Sequence, residues 1–402
     1  MSRLTDNFGR QIEYVRLAVT DRCNLRCQYC MPAHGIDIVP RQELLSFKEM
    51  YRLIRVLTEL GVHKVRLTGG EPFVRLDLED IIEVMYTKAD RIVISTSGWH
   101  TKKIIRLAQR FPDIGIRVSI EGLPIMNDEL RGRVGGFDKG LRTLMSLKEM
   151  GIKDIGFGQT VSNKNSHDLL PLYELSKSLG MEFATASFHN SFYFHREDNV
   201  VINKDEVTAN FSELIERLMK ENKPKSWFRA FFNLGLINYI RENPRMLPCE
   251  AGTANFFIEP YGDVYPCNGL EDRYWKESMG NIRDCTSFED LWFSDQAKKV
   301  RGKVKTCPKN CWMVGTAAPV MKKYIKHPVK WVVKNKIKSL VGRPICTDTV
   351  PVCDVGQDSL QGDLRGGDII PASESSISID SIGKMTERER HDIIDEIERE
   401  NV

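Results

Sequence analysis

The sequence predicts an α/β protein: an incomplete (βα)6 barrel, then a small cysteine-rich domain, then an acidic tail. Three observations lead there. From Tyr14 to Ala186 short β-branched runs alternate with amphipathic helical runs, the pattern of parallel strands joined by right-handed crossovers. The ten cysteines fall into two groups, with none between Cys30 and Cys249. Beyond Val350 the composition turns acidic and rich in Ser and Gly, which is poor material for a packed core.

The strand-like runs are Tyr14–Val19, Lys64–Leu67, Arg91–Ser95, Gly115–Ile120, Asp154–Thr160 and Glu182–Ala186. Between them the helices carry end signals. Ser46 and Glu49 form a capping box, Met50, Leu53, Ile54 and Leu57 mark one apolar face, and Gly61 follows as a stop. The run Gly136–Met150, closed by Gly151, repeats the arrangement. The expected domains are a partial barrel over 1–200, connecting helices over 201–245, a cysteine-rich domain with a basic helix over 246–345, and a largely disordered tail over 346–402. Trp227–Ile240 is so aromatic and aliphatic that buried packing is its expected role.

A chain of 402 residues with 41% hydrophobic residues supports two or three domains. No apolar run reaches the length of a membrane span, and Met1–Arg10 does not read as a secretory signal. A cytoplasmic chain is expected, where clustered cysteines serve as metal ligands rather than disulfides. The formal net charge is +3, and no nucleic-acid partner is expected.

The first group lies in Thr20-Asp21-Arg22-Cys23-Asn24-Leu25-Arg26-Cys27-Gln28-Tyr29-Cys30, directly after the first strand. Thiolates suit zinc or an iron–sulfur cluster. A closed zinc site needs four ligands, and His34 is the one nearby candidate for the fourth. Three ligands on a tight loop instead leave one iron of a [4Fe–4S] cluster open to chelate a small molecule. The spacing Cys23-x3-Cys27-x2-Cys30, with Tyr29 before the last cysteine, resembles the signature of the radical SAM superfamily. Gly69-Gly70-Glu71-Pro72 follows the second strand, where that family contacts the methionine amino group of S-adenosylmethionine (SAM). Ser95-Thr96-Ser97-Gly98, Ser119, and the pair Glu121-Gly122 and Arg131-Gly132 match later SAM-lining segments, with Arg131 placed to meet the SAM carboxylate. The resemblance covers about residues 10 to 190. It implies SAM and a SAM-binding [4Fe–4S] cluster on Cys23, Cys27 and Cys30. It implies further that SAM is cleaved to a 5′-deoxyadenosyl radical with an electron from flavodoxin or ferredoxin. Tyr29, Gly69, Gly70, Glu71, Pro72, Thr96, Ser97, Ser119 and Arg131 are then the cofactor-binding residues.

In the second group, strands Asn255–Glu259 and Asp263–Tyr265 around Pro260-Tyr261-Gly262 read as a hairpin that draws Cys249 toward Cys267. Cys307-x3-Cys311 adds two thiolates. This resembles the twitch form of the SPASM extension, which implies a second, auxiliary [4Fe–4S] cluster on Cys249, Cys267, Cys307 and Cys311. Structural zinc on the same four is the alternative. Cys285, Cys346 and Cys353 are read as free.

For the reaction, the N-terminal third is similar to the GTP cyclase of molybdenum-cofactor biosynthesis. The C-terminal third lacks that family's close Cys-x2-Cys pair and arginine series, which argues against nucleotide cyclisation. A fully ligated auxiliary cluster suits electron relay, so the expected reaction is oxidation of a carbohydrate-like or lipid-linked small substrate. The barrel begins within about fifteen residues, leaving no room for a peptide-recognition domain. A ribosomal-peptide maturase, a GTP-cyclase-like rearrangement and a non-catalytic iron–sulfur carrier are the alternatives. Sulfatase-maturing relatives place an acidic base just after the hairpin cysteine, where this chain has Asn268, so His189, His195, Glu250 and Glu271 are the candidate bases.

From Gln296 to Thr347 there are fourteen Lys and Arg and no Asp or Glu. Val329, Val332, Val333, Ile337, Leu340 and Val341 recur there at helical spacing. That helix either caps the cysteine-rich domain or lies peripherally on the anionic inner face of a membrane.

Overall fold

The computed structural model describes residue 12, residues 14–31 and residues 40–347. His34, Cys353 and the acidic tail lie outside the described residues. Nine strands among those described form one sheet, in the order β6-β5-β4-β3-β2-β1-β7-β8-β9. The first six are β1 (Tyr14–Ala18), β2 (Lys64–Thr68), β3 (Arg91–Thr96), β4 (Gly115–Ser119), β5 (Ile155–Val161) and β6 (Glu182–Ser187). Each pairs in parallel with the next. The crossovers are α1 (Phe47–Glu59), α2 (Leu78–Tyr86), α3 (Thr101–Arg110), α4 (Pro124–Arg131), α5 (Gly136–Glu149) and α6 (Leu169–Ser178). α1 opens on the expected capping box: Ser46 N donates to Glu49 Oε2 at 2.7 Å, and Glu49 N to Ser46 Oγ at 3.3 Å. Val15, Leu17, Val65, Leu67, Ile92 and Ile94 are buried. Arg16, Arg66 and Ser95 alternate with them and therefore share the other, inner face.

Two compact bodies divide the chain. The first joins residues 1–203 to Cys249–Pro319, and the second joins Lys204–Pro248 to the residues from Val320 onward.

In the first body, β7 (Asn255–Ile258) and β8 (Asp263–Tyr265) form the expected hairpin, and β9 (Gly280–Asn281) extends it. The hairpin does not stand apart from the barrel. β7 lies parallel to β1, with Tyr14 opposite Asn255 and Leu17 opposite Ile258. β1 would otherwise be an open edge with unpaired backbone groups, and all four β7 residues are buried. Two short helices follow, α9 (Phe288–Phe293) and α10 (Asp295–Lys305), and then α11 (Val314–Lys323).

The second body contains α7 (Lys204–Lys220), α8 (Pro224–Ile240) and the basic helix α12 (Lys326–Leu340). α12 packs on α7 and α8, with Val332 and Ile337 fully buried and Trp331 edge-on to Phe231 at 5.7 Å. The connecting helices thus cover part of the apolar stripe of the basic helix, while Leu340 stays exposed. Lys336 is buried and donates to the carbonyls of Met219 (2.6 Å) and Glu221 (2.9 Å), at the C-terminal end of α7. Among the described residues no helix is long and apolar enough to cross a membrane.

Candidate active site

Parallel strands deliver the loops after their C-terminal ends to one rim. There Val19 N donates to Thr68 O (2.9 Å), Gly70 N to Thr20 O (2.8 Å) and Glu71 N to Arg22 O (2.8 Å). The glycine loop after β2 thus runs along the start of the cysteine loop after β1. A Cβ on Gly70 would lie 2.2 Å from the Arg22 carbonyl oxygen, so only glycine allows this approach. Glu71, 1% exposed, accepts from Thr96 Oγ1 (2.7 Å), Ser97 N (2.6 Å) and Phe73 N (3.2 Å). Gly69, Gly70, Glu71, Pro72, Thr96 and Ser97 are therefore brought together, and Ser119 ends β4 on the same rim.

The cysteine loop closes in a tight turn, with Cys30 N and Met31 N both donating to Cys27 O at 3.0 and 2.9 Å. All three thiols are free. Burial pushes the Cys23 thiol up to about 11 and raises Cys27 and Cys30, and for Cys23 and Cys30 the neighbouring thiols add to this. Arg131 opposes the rise at each. Leu25 N donates to Cys23 Sγ at 3.4 Å. One buried and two partly buried thiols on a single tight loop, a backbone N–H on sulfur and an adjacent cation fit the chemistry of an iron–sulfur cluster, whose ligands must be thiolates.

Arg131, expected to meet the SAM carboxylate, lies beside Cys27, Tyr29 and Cys23 of the cysteine loop. Its guanidinium is buried, and Nη1 donates to Glu121 Oε1 at 3.1 Å. The same carboxylate accepts from Tyr29 OH (2.5 Å) and Thr160 N (2.5 Å). Glu121, which sequence reasoning noted only in passing, thus ties the cysteine loop to α4 and β5.

The auxiliary thiols are drawn from distant segments. Cys267, raised by burial, is raised further by Cys311 and Cys249, and Gly269 N donates to its sulfur at 3.4 Å. This donor set fits a second cluster. Cys307 follows the end of α10, with its N–H on Val304 O at 3.3 Å, and is not among the principal influences on Cys267. Between Cys307 and Cys311, Lys309 Nζ donates to Asn190 O (2.9 Å) and Gly269 O (2.6 Å) and pairs with Glu271. Cys285 donates to Ile282 O at 3.5 Å.

The four candidate bases fare differently. His189 is 6% exposed, with Nδ1 2.7 Å from Ser187 O and Nε2 accepting from Trp312 N at 3.2 Å. Both ring nitrogens are engaged in joining the end of β6 to the Cys311 segment, so His189 is a clamp and not an available base. Glu271, 2% exposed, is locked by ion pairs to Lys309 and Arg273. The Glu250 carbonyl turns the chain after Cys249 by accepting from Thr253 N (3.1 Å) and Ala254 N (3.0 Å). His195 is exposed, at φ +50°, and its pKa is lowered by partial burial, with Asp21 nearby opposing this and Lys276 adding to it.

The inner face of the barrel holds residues that sequence reasoning missed. Arg16 and Arg66 lie opposite each other on β1 and β2. Arg66 Nε donates to Ser95 Oγ at 3.0 Å, and Arg16 Nη2 lies 3.5 Å from Thr68 Oγ1. Among the described residues neither arginine has a carboxylate partner, and Arg16 Nε is buried without any partner. Enclosure, with Arg16, Arg117 and Arg91 nearby, brings Arg66 down to about 10. Arg66 nevertheless keeps accessible surface, as a side chain lining an internal hollow does. The available signal was a single arginine at the centre of each of two short strands, Tyr14–Ala18 and Lys64–Thr68.

Residues 17–173 match the radical SAM superfamily model, and residues 249–313 match the model of the SPASM iron–sulfur cluster-binding domain. The chain thus contains a radical SAM domain and a SPASM iron–sulfur cluster-binding domain, and its cofactors are SAM and two [4Fe–4S] clusters. The zinc alternative falls with that match. Among curated relatives, a GTP 3′,8-cyclase from Aliarcobacter butzleri is 32% identical over 212 residues, 51% of this chain and 64% of that protein. Molybdenum cofactor biosynthesis protein 1 of Mus musculus is 34% identical over 182 residues, 44% of this chain and 29% of that protein. The chain therefore spans less than two thirds of either relative. In fold it resembles SuiB of Streptococcus suis bound to S-adenosylmethionine, at TM-score 0.53 and 16% identity over 73% of this chain and 66% of that one. It also resembles anSMEcpe with bound AdoMet, at 0.51 and 14%, over 79% and 98%. The cyclase relatives overturn the expected oxidation of a carbohydrate-like or lipid-linked substrate. The missing Cys-x2-Cys pair remains a difference from those relatives, whose likeness covers 48–53% of this chain.

Proposed function

We propose that this chain is a radical SAM enzyme acting on a purine nucleoside triphosphate of the GTP class, in a cyclase-like rearrangement. The observation that carries the reading is the pair Arg16 and Arg66 on the inner face, cationic and without carboxylate partners among the described residues. Enclosed unpaired cations are costly unless an anion joins them. A triphosphate supplies that anion, and its charge-assisted bonds to guanidinium are among the strong ones. A neutral sugar does not.

Held by Cys23, Cys27 and Cys30, a SAM-binding cluster would supply reductive cleavage of SAM and, through it, hydrogen-atom abstraction from the substrate. In this reading Gly69–Pro72, Thr96, Ser97 and Ser119 orient SAM. Arg131 and Glu121 fix the loop, and Tyr29 ties it to the segment after β4. Cys249, Cys267, Cys307 and Cys311 hold the auxiliary cluster. A one-electron donor of the flavodoxin or ferredoxin kind is the required partner, and a reducing cytoplasm suits these thiolates.

The test is anaerobic. Reconstituted protein with SAM, reductant and GTP should consume GTP. The double variant Arg16→Met/Arg66→Met should lose nucleotide binding while still releasing 5′-deoxyadenosine without substrate. If the double variant binds GTP as tightly as the wild type, the reading is wrong.

A further inference from the structure

Tyr193 packs beside Cys267 of the second cysteine group and has Cys30 and Cys23 of the first among its electrostatic neighbours. Its backbone belongs to the turn Phe192–Phe194 after β6. That turn is stitched to the auxiliary cysteine segment: Phe192 N donates to Leu270 O at 2.8 Å, and Ser191 Oγ to Asn268 O at 2.5 Å. Tyr193 N in turn donates to Ser191 Oγ at 3.0 Å. The ring stands edge-on to Phe257 of β7, centroids 4.7 Å apart, within a cluster that also includes Ala18, Tyr265 and Cys267. The tip reaches the other way, into the electrostatic neighbourhood of Arg16, Cys30 and Cys23. There the hydroxyl is buried without a hydrogen bond of good geometry, the Thr68 side chain being the polar group beside it. Arg16 Nε, also buried and unpartnered, is the neighbouring cation.

A buried tyrosine hydroxyl ordinarily finds a partner. Two unpartnered donors on one inner surface, beside the thiols of the SAM-cleaving loop, are a recognition pair awaiting an acceptor. We infer that the Tyr193 hydroxyl hydrogen-bonds the substrate beside Arg16, at the end of the inner face nearest the cysteine loop. The inference rests on the nucleotide reading and deepens it. Arg16 and Arg66, level with each other on β1 and β2, take the phosphates through their guanidinium N–H groups, while Tyr193 meets the nucleoside portion that reacts. Burial keeps the phenol neutral, since its pKa is raised, so it can donate.

Tyr193→Phe keeps the ring and deletes only the hydroxyl. Calorimetric titration of the full, cluster-loaded chain with GTP and with inorganic tripolyphosphate reads the contact directly, without turnover. Tyr193→Phe should weaken GTP about tenfold, the order expected for one lost hydrogen bond, and leave tripolyphosphate within about twofold. Iron content and substrate-free SAM cleavage should match the wild type. GTP affinity unaltered by the variant would overturn this assignment alone. Equal weakening of both probes would mean a general disturbance of the inner face, and would overturn it too. A wild-type chain that binds no GTP would overturn the nucleotide reading and this assignment with it.

Discussion

At Gly70 an alanine methyl carbon would lie 2.2 Å from the Arg22 carbonyl oxygen, and backbone cannot yield as a side-chain tip can. Gly70→Ala should push the glycine loop off the cysteine loop and cost the SAM-binding cluster. About half of the iron should remain if the auxiliary four-iron cluster is intact, read by iron analysis. Gly302, exposed in α10 with nothing within 4 Å of the place a methyl carbon would take, should behave oppositely. There alanine should raise stability by about 0.5–1 kcal/mol through helix propensity. Full iron in Gly70→Ala would remove the close-approach argument. Glu259 makes a second residue-scale prediction. Burial, with Asp263 beside it, raises its carboxyl from 4.5 to about 8, against the weaker pull of Lys276. Between those pH values the folded chain holds a proton that the unfolded chain releases, so stability should fall as pH rises through that window. Denaturant titrations at pH 5.5 and 8.5 should show the fall in the wild type and a flatter response in Glu259→Gln. An unaltered slope would place the proton elsewhere. At this scale the sequence was readable where spacing alone states the chemistry, as at Cys23, Cys27 and Cys30. It was not readable at His189, because its role depends on Trp312, more than a hundred positions away.

Among the elements, α12 carries the clearest consequence. Lys336 closes the C-terminal end of α7 by donating to two carbonyls, and its ammonium lies 4.9 Å from the Trp227 ring centroid. Lys336→Met should leave those carbonyls short of a donor and cost about 1–3 kcal/mol. The amides of the last turn of α7 should then exchange faster with solvent, while those of β1 stay unchanged. Equal protection in both proteins would show that the lysine is dispensable. Helical periodicity found α12 in the sequence, but periodicity says only that one face is apolar. Which surface covers that face is set by α7 and α8. The hairpin behaved similarly: alternation and Pro260-Tyr261-Gly262 announced two strands, while the pairing of β7 with β1 follows from an otherwise open strand edge.

For the whole molecule, six strand–helix units and two cysteine groups were legible because each recurs locally. The choice of substrate was not. The auxiliary cysteine pattern pulled the reading toward oxidation, whereas the inner-face arginines, invisible until β1 and β2 are paired, favour a phosphorylated ligand. The central claim is that the hydrogen atom taken by the SAM-derived radical comes from a purine nucleotide. Anaerobic incubation with SAM, reductant and GTP deuterated throughout the ribose measures this directly by mass spectrometry. Deuterium should appear in the 5′-deoxyadenosine together with loss of GTP. Unlabelled 5′-deoxyadenosine with GTP recovered intact would contradict it.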